Sequence, residues 1–377
     1  MTALNTRGSV LIVGGGGAFG VRAAERLART SGADLILAGR RPDRLSAVVA
    51  ALSSAHGRTV RAVALDATDV TARDLLGIGA AVVINSSGPF QVQDYRLARA
   101  AIAAGCHYID LADARDFVVG FRALDGLARE AGVLAVSGAS SVPGLSSAVI
   151  AAHGHAFRAL RTIDIAISPG NAFDPGAATV SSVLGGVGQP LQMLDDGAWR
   201  TVYGWQGLRR EDFGAAGRRW LGYVDVPDLA LLPERIAGVA TVRFQAGLEV
   251  SVFHLGLWAA SWLVRAGLVR DLAPLAPWLL AVKRRFGWLG SDRGGMVVAM
   301  HGEGADGRAQ SLVWQLEAGS GHGPYVPSLT AVALVKRLLS GAETRRGAFA
   351  CDGFVPLPDI LAEADGLDIR CRTLEGS

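Results

Sequence analysis

From Val10 to Val136 the chain alternates short apolar runs with longer stretches whose apolar residues recur at helical spacing. The runs at 10–13, 35–38, 60–65, 80–85, 108–111 and 133–136 read as strands buried on both faces. The stretches at 21–30, 43–56, 69–76, 93–104 and 117–131 read as the helices between them. Six strands joined by crossover helices predict a doubly wound parallel sheet, the Rossmann arrangement of an α/β protein. The pattern then changes. Period-two alternation marks 162–168, part of 243–252 and 311–317, and a glycine-rich link at 302–308 joins 296–301 to 311–317 as a hairpin. We expect a first domain over 1–142 and an α+β second domain with an antiparallel sheet over 143–377. A helix near 328–340 is a candidate to return to the first domain.

The most informative polar interruption follows the first strand, at Gly14-Gly15-Gly16-Gly17-Ala18-Phe19-Gly20. Read as Gly15-x-Gly17-x-x-Gly20, it excludes side chains where a strand must stop, a backbone must approach a pyrophosphate and a helix must pack closely. A chain with 49 glycines produces such spacings by chance, but here the motif opens a βαβ unit of the expected length. Gly15, Gly17, Ala18, Phe19 and Gly20 are therefore candidate contacts to a dinucleotide, with the first helical amides facing its phosphates.

The end of the second strand selects the nucleotide. An NAD site normally places Asp or Glu there, whereas this chain has Gly39, Arg40 and Arg41. A glycine leaves room for a 2′-phosphate and a guanidinium matches its oxygens, so the expected cofactor is NADP. The plainer alternative leaves both arginines solvated. After the third strand, Asp66 and Ala67 are candidates to meet the adenine. After the fourth, Ser86, Ser87, Gly88 and Pro89 are candidates to lie against the nicotinamide half. Each of these polar residues also suits a helix cap.

Composition bounds the rest. A 377-residue chain that is half hydrophobic can bury a large core. Its net charge of +3 and lack of Lys/Arg blocks argue against nucleic acid as a partner. Cys106, Cys351 and Cys371 are isolated, form no metal-ligand spacing and suit a reducing compartment. His153-Gly154-His155 stands without grouped carboxylates, so no metal site is expected. No leader pattern precedes the first strand, and a cytoplasmic location is expected. The apolar segments 250–264 and 272–282, rich in Trp and flanked by Arg and Lys, are shorter than the about twenty residues that cross a bilayer. They read as a buried helix pair or the subunit interface of a homodimer. Peripheral membrane contact through 250–290 is the alternative.

The glycine fingerprint, Ala38-Gly39-Arg40, Asn85-Ser86-Ser87-Gly88-Pro89-Phe90, Ala104-Gly105-Cys106-His107-Tyr108-Ile109-Asp110-Leu111 and Ser140-Ser141-Val142-Pro143-Gly144 together resemble the saccharopine dehydrogenase-like oxidoreductases. The resemblance is dense over 8–150 and looser beyond, at Arg293-Gly294-Gly295-Met296 and Gly321-His322-Gly323-Pro324. It implies hydride transfer with NADPH to a small-molecule substrate, an imine or a carbonyl. Saccharopine-forming members carry a larger, more basic second domain, so the apolar, Trp-rich sequence here implies a more hydrophobic substrate.

Hydride transfer to a charged iminium needs little acid catalysis. The Tyr-x-x-x-Lys pair of short-chain dehydrogenases is absent at all five tyrosines. Tyr108 and Asp110 share a face at the end of the fifth strand, with Asp113 just beyond. They are candidates to donate a proton or hold a cationic amine; equally, Asp110 suits a backbone-binding role. His322, in a glycine-rich loop, is a third candidate, and Arg293 a candidate clamp for an acidic group. Two rival readings remain: a nucleotide-sensing or membrane-peripheral protein without catalysis, and an enoyl-type reductase of a lipid-like substrate.

Overall fold

The computed structural model describes residues 8–57 and 59–376. The chain divides into two compact units, Met1–Leu145 with Tyr325–Glu363, and Ser146–Pro324 with Ala364–Ser377. The first opens with β1 (Ser9–Val13), α1 (Ala18–Thr30), β2 (Asp34–Gly39), α2 (Ser46–His56), β3 (Val60–Ala64) and α3 (Ala72–Ile78). It continues with β4 (Val82–Asn85), α4 (Arg96–Ala103), β5 (His107–Asp110), α5 (Arg115–Gly120), α6 (Asp125–Glu130) and β6 (Leu134–Ser137).

The second unit comprises α7 (Ser146–His153), β7 (Phe157–Ser168), α8 (Gly176–Gly185), the hairpin β8 (Pro190–Asp195) and β9 (Ala198–Tyr203), β10 (Arg209–Asp212) and β11 (Arg218–Tyr223). Next come α9 (Asp228–Arg235), β12 (Thr241–Ala246), α10 (Ser251–Arg265), α11 (Ala276–Arg285), β13 (Gly294–Gly304) and β14 (Ala309–Ala318). The chain then returns to the first unit with α12 (Val326–Leu339), β15 (Gly347–Ala350) and α13 (Leu357–Ala362), and ends in the second with β16 (Ile369–Gly376).

Among the described residues the first sheet has seven strands in the order β15-β6-β5-β4-β1-β2-β3, all parallel. Val10, Leu11 and Ile12 and their neighbours Val82, Val83 and Ile84 are fully buried, as central parallel strands covered on both faces must be. The seventh strand was not read from the sequence. Gly347–Ala350 is short and lies far along the chain from its partner β6, so no local pattern announces the pairing.

Several helices begin later or break earlier than their periodicity suggests, for local reasons. The helix expected at 69–76 starts at Ala72 because Thr71 and Asp74 form a reciprocal capping box. The one expected at 93–104 starts at Arg96, whose amide bonds the Asp94 carboxylate at 3.0 Å. The stretch 117–131 is broken into α5, a 3-10 turn and α6.

The second unit's sheet, β10-β11-β12-β7-β13-β14-β16, corrects the expectation of an antiparallel sheet. It is mixed, because β12 runs parallel to β7. The β13–β14 hairpin forms in register from Gly294↔Ala318 to Glu303↔Ala309. The alternation at 243–252 stops at Ala246, and α10 begins at Ser251.

Candidate functional site

The glycine loop is built by two constraints on backbone volume. Gly14 sits at φ +79°, and a Cβ there would stand 3.0 Å from Ser86 and Ser87. At Gly20 a Cβ would lie 2.7 Å from Ser86 Oγ and closer still to the Gly14 carbonyl oxygen. The Gly14 and Gly15 amides both donate to the Ala38 carbonyl, at 3.0 and 3.1 Å, and pin the loop to the end of β2. Gly16 and Gly17 are exposed, so the outer side of the loop is bare backbone. Gly17 caps α1 without a side chain, and the first turn, with Ala18 and Phe19, carries no acid. This cradle presents backbone and the positive end of a helix, as a diphosphate requires.

At the end of β2, the space around Gly39 is open, its nearest neighbour for a Cβ being Leu45 at 3.7 Å. Arg40 and Arg41 are exposed beside it. Asp66 Oδ1 accepts from the Thr68 amide at 2.9 Å and the Thr68 hydroxyl at 2.8 Å. These bonds, with the nearby Arg40 charge, hold its carboxyl below the usual range. Asp66 thus shapes the turn carrying Ala67 and also faces Arg40.

The loop after β4 is organised by Asn85, which the sequence analysis left out of its candidates. Asn85 is buried; its Oδ1 accepts from the Ser87 amide at 3.0 Å and the Ser87 hydroxyl at 2.6 Å. Its amide nitrogen donates to Tyr108 Oη at 3.2 Å and Gln93 Oε1 at 3.3 Å. Gln93 in turn donates to the Ser87 carbonyl. Ser86 Oγ donates to the Val13 carbonyl at 2.8 Å, tying this loop to the glycine loop's strand. Gly88 remains exposed, joined to Pro89 by a cis peptide bond.

The two residues of the expected acid chemistry on β5 are framework instead. Tyr108 is 1% exposed, stacked on Phe121 at 5.7 Å, with its hydroxyl turned inward to Asn85. Asp110 is fully buried, and its Oδ1 accepts from the amides of Ala112 (3.0 Å) and Gly138 (2.8 Å) and the Ser137 hydroxyl (2.9 Å). Burial pushes its carboxyl up to about 6, against the pull of those donors. Burial and the Asp110 charge push the Tyr108 phenol well above its ordinary value. Neither group reaches a surface where a ligand could take its proton. The pair instead holds the loops after β4, β5 and β6 in place. Asp113, beyond β5, is exposed and accepts from Gln91 at 3.4 Å.

His322 lies in the second unit and also has a structural partner: its Nδ1 accepts from the Asp368 amide at 2.8 Å. Each of the three expected catalytic residues thus has a structural role within its own unit: Tyr108 and Asp110 are enclosed, and His322 braces the start of β16. Arg293 is exposed, and its carbonyl accepts from the buried Arg219 at 2.7 Å. His153 ends α7, followed by His155 in a 3-10 turn. Among the described residues no three His, Cys, Asp or Glu side chains gather as a metal site.

Residues 10–136 match the family model of the saccharopine dehydrogenase NADP binding domain. The first unit is accordingly a nicotinamide dinucleotide-binding domain. Apo saccharopine dehydrogenase (L-Glu forming) from Saccharomyces cerevisiae has a similar fold, with a TM-score of 0.67 at 15% identity over 97% of this chain and 100% of that one. GenD2 from gentamicin A biosynthesis, solved with NAD, aligns over 100% of this chain and 98% of its own at 14% identity, with a TM-score of 0.43. No curated protein matches the sequence.

Proposed function

We propose that this protein is an NADP(H)-dependent oxidoreductase that moves hydride between the nicotinamide ring and an imine or carbonyl carbon of a small, apolar substrate. The observation that carries the reading is the end of β2, where open space at Gly39 is flanked by exposed Arg40 and Arg41 and no carboxylate occupies the ribose position. The bare backbone of Gly14 to Gly17 would hold the diphosphate, and Arg40 with Arg41 the 2′-phosphate. NADPH, when bound, supplies the hydride.

Ser86 to Pro89, fixed by Asn85, would form the floor under the nicotinamide half. The enclosure of Tyr108 and Asp110 supports an acceptor that needs no strong protein acid, which favours an iminium carbon already carrying charge. The cysteines are free thiols, two of them buried, which supports the cytoplasm as the compartment.

The test is a fluorescence titration with NADPH, with NADH as competitor, followed by assays of NADPH consumption with cyclic imines and apolar aldehydes. NADPH binding at least tenfold tighter than NADH, with turnover on an imine, is the expected result. Equal affinity would overturn the cofactor assignment. Tight binding without turnover on either substrate class would overturn the reaction.

A further inference from the structure

We infer that the Trp-rich helical face of the second unit, over 252–289, docks on an anionic phospholipid bilayer. Among the described residues, nine of the fifteen exposed large hydrophobic side chains fall in this segment. Leu268, Trp288 and Trp278 are 74%, 72% and 64% exposed, and Trp262, Phe286 and Leu289 are exposed beside them in sequence. Such a concentration is unlike the scattered single apolar residues of an ordinary surface.

The face is built on a firm base. His254, Ser261 and Val264 turn the inner side of α10 inward, and Val264 joins Leu272, Ala276 and Trp205 in one packed cluster. The outer side of α10, from Val252 through Gly256 and Ala259 to Leu263, is exposed yet apolar, and no Asp, Glu, Lys or Arg occurs from Val250 to Val264. A helix apolar on both sides calls for a nonpolar neighbour. No described helix is long and apolar enough to cross a membrane, so α10 and α11 would lie along the surface.

Charge decides the occupant. Residues 250–293 hold six Lys and Arg against two Asp, a local excess of four that exceeds the net +3 of the whole chain. Two acids outside this count lie against the segment, Asp174 on Arg284 at 2.8 Å and Glu249 on the Ser291 hydroxyl at 2.6 Å, and with both included a positive excess of two remains beside the apolar face. Arg265, Arg270 and Arg285 are exposed there, and the Arg265 guanidinium stands 5.1 Å from the Trp262 ring. A second copy related by a twofold axis would press this positive excess against itself. Anionic headgroups neutralise it while the tryptophans enter the headgroup and acyl boundary.

Flotation of the full chain with phosphatidylcholine vesicles, with and without half phosphatidylglycerol, tests the inference. The chain should float with the anionic vesicles and stay behind with the neutral ones. Trp278→Ser with Trp288→Ser should lower partitioning at least tenfold. Arg270→Glu with Arg285→Glu should lower it by roughly fivefold per charge. NADPH binding should be unchanged in both variants, showing that the fold is kept. No flotation, or flotation that neither pair of substitutions weakens, would overturn the inference. So would a dimer that the Trp substitutions dissociate, since the face would then be a self-interface.

Discussion

The side-chain amide of Asn85 donates to the hydroxyl of Tyr108 at 3.2 Å, joining the ends of adjacent parallel strands inside the first unit. Asn85 also accepts twice from Ser87, so the phenol sets the loop that would underlie the nicotinamide. Removing the phenol oxygen leaves a buried amide with one acceptor fewer, at a cost of about 1–2 kcal/mol. Tyr108→Phe should therefore lower unfolding stability by that amount and weaken NADPH binding several-fold, measured by urea denaturation and titration. A variant with full NADPH affinity would show that the loop is set without Tyr108.

Gly20 admits no side chain, because a Cβ would lie 2.7 Å from Ser86 Oγ and nearer still to the Gly14 carbonyl. Gly20→Ala should push α1 away from the glycine loop, costing about 1–3 kcal/mol and at least tenfold in nucleotide affinity. Gly77, inside α3 and exposed, has nothing within 4 Å of a Cβ. Gly77→Ala should instead stabilise the protein by about 0.5–1 kcal/mol and leave affinity unchanged. Calorimetry and titration of the two variants check the contrast.

Arg40 is exposed beside Gly39 and lies close enough to Asp66 to lower its carboxyl. Arg40→Asp places a carboxylate where the NADP phosphate would sit. It should weaken NADPH at least tenfold and improve NADH, read from competition titrations. An unchanged preference would remove Arg40 from the site.

Burial pushes the Asp110 carboxyl up to about 6 from its ordinary 3.8. The native state holds the proton more firmly, so this group's contribution to stability is full below 3.8 and is lost as pH rises through about 6. Across that window the wild-type protein should lose roughly 3 kcal/mol relative to Asp110→Asn. His107 and His254, both pushed down to about 4 chiefly by burial, act in the opposite sense but equally in both proteins, so they cancel in the difference. Urea unfolding at a series of pH values reads it directly; a difference independent of pH would show that Asp110 is not titrating there.

The nucleotide-binding half was legible because its determinants are local. Apolar runs mark strands buried on both faces, and Gly15, Gly17 and Gly20 are required within one βα turn by contacts with the neighbouring strand and loops. The exposed place of Arg40 just after β2 could be read for the same reason. By contrast, 347–350 offered four residues whose only distinguishing fact is a partner more than two hundred positions earlier. The parallel pairing of β12 with β7 was hidden likewise, since alternation states which residues face inward and not which strand lies alongside.

By itself, the sequence determined a Rossmann sheet, its glycine loop and the exposed arginines at the end of β2, because each follows from sterics and charge over a few consecutive residues. Tertiary structure decided which polar groups were available. Tyr108 and Asp110 alternate onto one face as the sequence requires, yet burial and the donors from Ala112, Ser137 and Gly138 make them supports for three loops. Folding also decided that the Trp-rich segment lies on the surface. A helix apolar on every side reads the same in sequence whether it is buried or exposed, and only the packing of α10 through His254, Ser261 and Val264 leaves its other side facing outward.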